Sequence, residues 1–264
     1  MVRKTLSKDG TPIAYDTVGS GPAVILVGGA LSYRKFPGFV KLAGLLSKDF
    51  TVVNYDRRGR GDSGDTDFYA VAREVEDLHA VIEAVGGSAN VWGMSSGAAL
   101  ALEAAASGVP MKKLALYEPP YMIGDGAPRP PSDHEAKLRE FIAAGRRDDA
   151  VKYFLRMMGA PGFAVSIMRI MPFWARMRAV ANSLPYDAAV MSDYSLPTER
   201  IAAVQVPTLV IGGGKSGVAL RNAVKHVADH LPKGELLMLE GQNHNVSMNV
   251  LAPVLRNHFS ESAH

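Results

Sequence analysis

Two adjacent hydroxyls, Ser95 and Ser96, stand in the run VWGMSSG, Val91–Gly97, where an apolar stretch gives way to an alanine-rich one. Only Ser95 is centred in a G-x-S-x-G pattern, between Gly93 and Gly97. A serine so framed occupies a tight strand-to-helix turn that holds its hydroxyl clear of both elements, and side chains at the flanking positions would collide. Ser95 is the expected nucleophile. Ser96 has Met94 two residues before it and lacks that frame. Its backbone N–H, the first free donor of the following helix, suits an oxyanion instead. A second oxyanion donor is expected in the glycine-rich turn after Val24–Val27, at the N–H of Ala30. A plain tight turn would use the same glycines.

A serine nucleophile needs a base, and the base needs an orienting acid. The chain has seven histidines. His79, His226, His230 and His258 fall in helical patterns, His134 in a helical insertion and His264 at the terminus. These six read as surface or internally satisfied residues. His244 alone lies in a loop, GQNHNV, after the last strand-like run and before the last helix-like one. That is the correct end of a sheet and the correct chain order after Ser95.

The elements that would position these residues alternate. Strand-like runs are Pro12–Val18, Ala23–Val27, Thr51–Tyr55, Ala89–Trp92, Leu114–Tyr117, Thr208–Ile211 and Glu235–Leu239. Helix-like segments between and after them are Phe39–Leu46, Val71–Val85, Ala98–Ala106, Val218–His230 and Val250–Phe259. In Val71–Val85 the apolar residues recur at threes and fours, the mark of one buried helix face. Strand then helix, repeated, predicts an α/β fold with a mostly parallel sheet flanked by helices. The alternation stops between Glu118 and Val206. There a turn-rich stretch leads into helical segments near Glu135–Ala144, Asp148–Met158, Phe163–Met171 and Phe173–Leu184. Met157, Met158, Met168, Met171, Met177 and Met191 concentrate there, with Phe154, Phe163, Phe173 and Trp174. They are expected to form the core of a helical cap and to line a substrate pocket. The predicted division is a core in two parts, 1–118 and 201–264, with the cap at 119–200 inserted before the last two strands.

Composition narrows the partners. In 264 residues, acids and bases are interspersed to a net charge of +3, so a nucleic-acid partner is not expected. The RRGR run Arg57–Arg60 reads as a solvated loop. Without cysteine there are no disulfides or thiolate zinc sites, and the histidines lack ligand spacing, so no metal or cofactor is implied. No apolar stretch is long enough to span a bilayer, and the N-terminus has no signal-peptide pattern. A cytoplasmic monomer or homodimer is expected, with no membrane partner.

These features together resemble the α/β-hydrolase superfamily over essentially the whole chain. The resemblance is carried by the N-terminal hairpin, DRRGRGDSG at Asp56–Gly64, GMSSG, the helical insertion and the histidine loop. It implies a site at the C-terminal edge of the strands. Two departures stand out. The oxyanion loop has Gly28-Gly29 where many members have His-Gly. The loop where many members carry the triad acid reads GGGKSG, Gly212–Gly217, with Ser216 in place of an aspartate. The other location the superfamily uses is the end of the strand before the cap. There KLALYEPPY supplies Glu118, the expected acid; Asp56, Glu103 and Glu240 are weaker alternatives, and a dyad or a water-linked acid also remains open. The W-G-x-S-S-G-A elbow, the YEPP context and the histidine loop resemble the zearalenone lactone hydrolase type, which has a glutamate acid. The reading is a serine hydrolase of a carboxylic ester or lactone with an apolar portion. The same residues would also serve C–C, thioester or perhydrolase chemistry. A catalytically weak ligand-binding or receptor-like protein is the rival of a different class.

Overall fold

The computed structural model describes residues 2–124 and 129–260; part of the turn-rich approach to the insertion, 125–128, and His264 lie outside them. The chain runs β1 (Arg3–Leu6), β2 (Pro12–Val18), β3 (Ala23–Val27), α1 (Pro37–Leu46), β4 (Thr51–Tyr55), α2 (Val71–Glu83), β5 (Ala89–Met94), α3 (Ser96–Ala106) and β6 (Met111–Tyr117). Helices alone follow among the described residues: α4 (His134–Ala143), α5 (Arg147–Met157), α6 (Gly162–Met168), α7 (Phe173–Ala179), a 3₁₀ turn at Ala181–Ser183, α8 (Leu184–Met191) and α9 (Thr198–Ala202). The chain then returns to the sheet with β7 (Thr208–Gly213), α10 (Val218–His230), β8 (Gly234–Leu239) and α11 (Met248–Ser260).

The eight strands form one sheet in the order β1-β2-β4-β3-β5-β6-β7-β8. β1, β2 and β4 pair antiparallel, and every pair from β4 to β8 is parallel. Strands covered on both faces need apolar residues on both, and AVILV and TLVIGG are of that kind. One face packs Leu78, Ile82, Leu100 and Val224 from α2, α3 and α10; the other packs Leu42, Leu46, Leu251 and Leu255 from α1 and α11. This is the α/β-hydrolase fold.

The register aligns the ends of the central strands. Val27 pairs with Gly93, Met94 with Tyr117, Tyr117 with Ile211, and Gly213 with Leu239. The chain leaves β3 toward β4 on one side and comes back to β5 on the other, so strand order reverses at β3. Crevices open at the carboxyl ends of strands where the order reverses. The loops after β3, β5, β6, β7 and β8 all leave this edge.

Two expectations are corrected in the insertion. Trp174 is buried there with Leu138, Phe141, Ala150, Val151, Val165, Val180 and Leu184, and the cluster reaches Leu31 after β3. Of the residues expected in that core, however, Met158, Phe163, Met171 and Phe173 are exposed, Phe163 by 72%. The helical segment expected at Phe173–Leu184 also breaks at Val180. A new helix starts at Leu184, with Pro185 in its first turn, where a missing N–H costs nothing.

Candidate active site

Ser95 links β5 to α3. Its φ of 57° and ψ of −130° place it in backbone space that residues with a side chain rarely occupy. The turn is closed by Ser95 N–H donating to the Tyr117 carbonyl at 2.9 Å. The flanking glycines are sterically required. A Cβ on Gly93 would lie 2.6 Å from the Gly97 carbonyl oxygen, and one on Gly97 would lie 2.4 Å from that of Val27. Helix α3 is thus set against the end of β3. A Cβ on Gly29 would meet the Met94 oxygen at 2.8 Å and the Ser95 Cβ at 2.9 Å. The loop after β3 therefore borders the serine, as the position expected for Ala30 requires. Ala30 N–H has no acceptor among the described residues. Ser96 is the first residue of α3, whose N–H points out of the helix end.

On the neighbouring strand, β6 ends at Tyr117 and Glu118 follows with φ 45°. Its side chain is fully buried. Oε2 lies 2.8 Å from His244 Nδ1, while Oε1 accepts the Gly213 N–H at 2.7 Å and the Ser216 hydroxyl at 2.5 Å. Burial alone would raise the carboxyl pKa. The bonds from His244, Ser216 and the Gly213 N–H outweigh it and hold the group below its ordinary value. Ser216, in the loop where many superfamily members carry an aspartate, donates its hydroxyl to Glu118, which comes from the end of the neighbouring strand β6. The His244 loop is tied down in turn by Tyr117, whose hydroxyl donates to the Asn243 carbonyl at 2.6 Å. His244 itself is 39% exposed, so its ring has one buried edge and one accessible one. Two of the alternative acids, Asp56 and Glu103, are engaged elsewhere. Asp56 accepts the backbone N–H groups of Arg34 and Asp62, and Glu103 pairs with Arg200.

The RRGR run is not a solvated loop. Arg57, Arg58 and Arg60 are all at most 2% exposed. Arg57 grips Glu74 with Nε and Nη2, both at 2.6 Å, and reaches Asp187 Oδ1 at 2.7 Å. Arg58 pairs with Asp77 and Asp9. Arg60 Nη2 donates to Asp187 Oδ2 at 2.7 Å. Ser96, expected to act through its backbone, also donates its hydroxyl to Asp187 Oδ1 at 2.8 Å. None of these partners is visible from the loop's own sequence, since Asp187 lies 127 residues beyond Arg60.

A polar surface cleft on the insertion, lined by Arg146, Asp149, Lys152 and Arg178, contains none of these residues. Among the described residues no group of three or more His, Cys, Asp or Glu is arranged to hold a metal ion. No helix among them is long and apolar enough to cross a membrane.

A doubly covered parallel sheet with a strained serine turn and a histidine–carboxylate pair at one edge defines the hydrolase class. The family model described as "Alpha/beta hydrolase family" matches residues 23–254, and the chain belongs to that family. The chain is similar to an alpha/beta hydrolase from Sphaerobacter thermophilus at 50% identity. That structure superposes with a TM-score of 0.91 over 98% of this chain and 100% of that one. An esterase from Exiguobacterium antarcticum, 19% identical, shares the fold at a TM-score of 0.76 over 99% and 100% of the two chains. An uncharacterized hydrolase of Bacillus subtilis (strain 168), YraK, is 36% identical over 104 residues, 38% of this chain and 37% of that protein. The chain is an enzyme of the hydrolase class.

Proposed function

We propose that the chain is a serine hydrolase that cleaves a carboxylic ester or lactone with an apolar portion. Ser95 Oγ attacks the carbonyl carbon as its proton passes to His244, and Glu118 holds the imidazole in the required tautomer. The N–H groups of Ala30 and Ser96 stabilise the tetrahedral oxyanion. The alkoxide leaves with the proton from His244, and water, deprotonated by His244, then hydrolyses the acyl-enzyme. The observation that carries this reading is the 2.8 Å contact between His244 Nδ1 and a fully buried Glu118. A buried carboxylate is costly unless paired, and this one is paired with an accessible imidazole at the edge that bears the strained serine. An esterase among the fold neighbours agrees with the bond type. The glutamate acid agrees with the zearalenone lactone hydrolase type. The helices between Glu118 and Thr208 form the cap, and a small apolar molecule is the partner.

A fluorophosphonate probe tests the reading. It is expected to label the wild type at Ser95, mapped by mass spectrometry, and to leave Ser95→Ala unlabelled and inactive. Ser96→Ala is expected to keep the label and at least about a tenth of the activity, because its donor is backbone. An unlabelled wild type would favour a ligand-binding protein on a hydrolase fold.

A further inference from the structure

The peptide between Gly29 and Ala30 decides where the Ala30 N–H points. In a trans peptide the carbonyl and the N–H that follows it face opposite ways. The Gly29 carbonyl accepts from Arg60 Nη1 at 2.7 Å and from the Ser32 hydroxyl at 2.5 Å. With its oxygen held on that side, the peptide turns the Ala30 N–H to the other. Arg57 Nη1 adds a bond to the Gly28 carbonyl at 3.1 Å. The two guanidiniums thus fix consecutive carbonyls of the loop that borders Ser95.

Both guanidiniums are in turn held by one carboxylate. Asp187 on α8 receives Arg57 and the Ser96 hydroxyl at Oδ1 and Arg60 at Oδ2, all at 2.7–2.8 Å. The Arg60 Nε donates to Ser183 Oγ at 2.9 Å, a second anchor just before the same helix. Two arginines face Glu74 and Asp187, so the buried charges balance. Burial would push the Asp187 carboxyl up, but Arg60 and Arg57, with the Ser96 hydroxyl, hold it down and ionised.

We propose that Asp187, carried by the helical insertion, is a positioning residue for the reaction. Through Arg60 it aims the Gly29–Ala30 peptide, and through the Ser96 hydroxyl it fixes the first turn of α3, so a single carboxylate sets both oxyanion donors. The inference rests on the roles proposed for Ser95, Ala30 and Ser96. It gives the insertion a part in the rate of the chemical step, beyond any part in choosing the substrate.

The test uses Asp187→Asn and Arg60→Lys in the full chain, with p-nitrophenyl acetate as substrate. Rates are expressed per Ser95 labelled by a fluorophosphonate, which removes unfolded molecules from the comparison. An asparagine offers one acceptor oxygen where two are used, and it leaves an uncompensated cation. A lysine keeps the charge but cannot span Gly29, Asp187 and Ser183 together. Losing one oxyanion donor outright costs about 10²–10³ in kcat, so a misaimed pair is expected to cost about 10- to 100-fold. KM should stay within about threefold, and the acid limb of the pH profile should not move, since the His244–Glu118 pair is untouched. The phosphonylation rate should fall in step with kcat. A kcat per labelled site within about twofold of wild type, or a loss wholly in KM, overturns the assignment. If Asp187→Asn does not fold, Arg60→Lys decides by the same criteria. A wild type that is never labelled overturns the nucleophile as well, and so separates the two failures.

Discussion

Three donors converge on Glu118, and its two oxygens divide them unequally. Oε1 takes Gly213 N–H and Ser216 Oγ, leaving Oε2 for His244. In Glu118→Gln the amide oxygen satisfies the first two, which turns the NH₂ toward Nδ1. That imidazole must then accept at Nδ1 and carry its proton on Nε2, the tautomer that cannot take a proton from Ser95. We expect kcat to fall by about 10²–10⁴ with the fold retained, measured on p-nitrophenyl acetate with circular dichroism as the control. A near-normal kcat in a folded variant would make Glu118 a bystander. The same carboxylate sets a pH dependence of stability. Its pKa in the folded chain lies below the ordinary 4.5, so the unfolded chain protonates first. The stabilisation is therefore full above the unfolded value and is lost as pH falls through the folded one. Melting temperatures between about pH 5 and pH 3 should drop more steeply for wild type than for Glu118→Gln.

Among the elements, what could be foreseen from the sequence was what is written locally. Seven strands carry short apolar runs, β-branched in five of them, and were legible; β1, RKTL, has no buried apolar face and was not. The serine turn announced itself because steric need fixes glycine on both sides. The expectation for Glu118 and His244, which the structure pairs at 2.8 Å, rested on strand order and resemblance, not on any local pattern. The arginine loop was misread because its compensating charges sit on α2 and α8, and α8 was hidden behind a helix break that only Pro185 marks. A pair of glycine substitutions tests how far steric need extends. Gly97→Ala puts a Cβ 2.4 Å from a backbone oxygen that cannot swing away. It should lower stability by about 1–3 kcal/mol and reduce activity, as α3 is pushed off β3. Gly44→Ala, inside α1 with nothing within 4 Å of the new Cβ, should raise stability by about 0.5–1 kcal/mol. Urea midpoints give both signs in one experiment.

At the scale of the whole molecule, two buried sets of contacts are among those that join the insertion to the sheet. One is apolar: Leu31, after β3, lies in the same cluster as Leu138, Trp174 and Leu184 of the insertion. The other is the buried set of Arg57, Arg60, Glu74 and Asp187, in which cations and anions from α2, α8 and the loop after β4 cancel. Such a set is poor evidence of net stability, because desolvating four charges is expensive and their attraction only offsets it. Its balance is what matters. Arg57→Met removes one cation that three elements share and leaves Glu74 and Asp187 against Arg60 alone. Breaking one member of a buried pair costs about 3–5 kcal/mol, so the loss here should be of that order. Because both contact sets cross the boundary, that loss should appear as one unfolding transition shifted downward, with the same midpoint by tryptophan fluorescence and by far-ultraviolet circular dichroism. Trp92 lies in β5 and Trp174 in α7, so each tryptophan reports one side. Two separated transitions would mean that the helical insertion unfolds on its own, and that the ionic cluster ties it to the sheet without making the two a single cooperative unit.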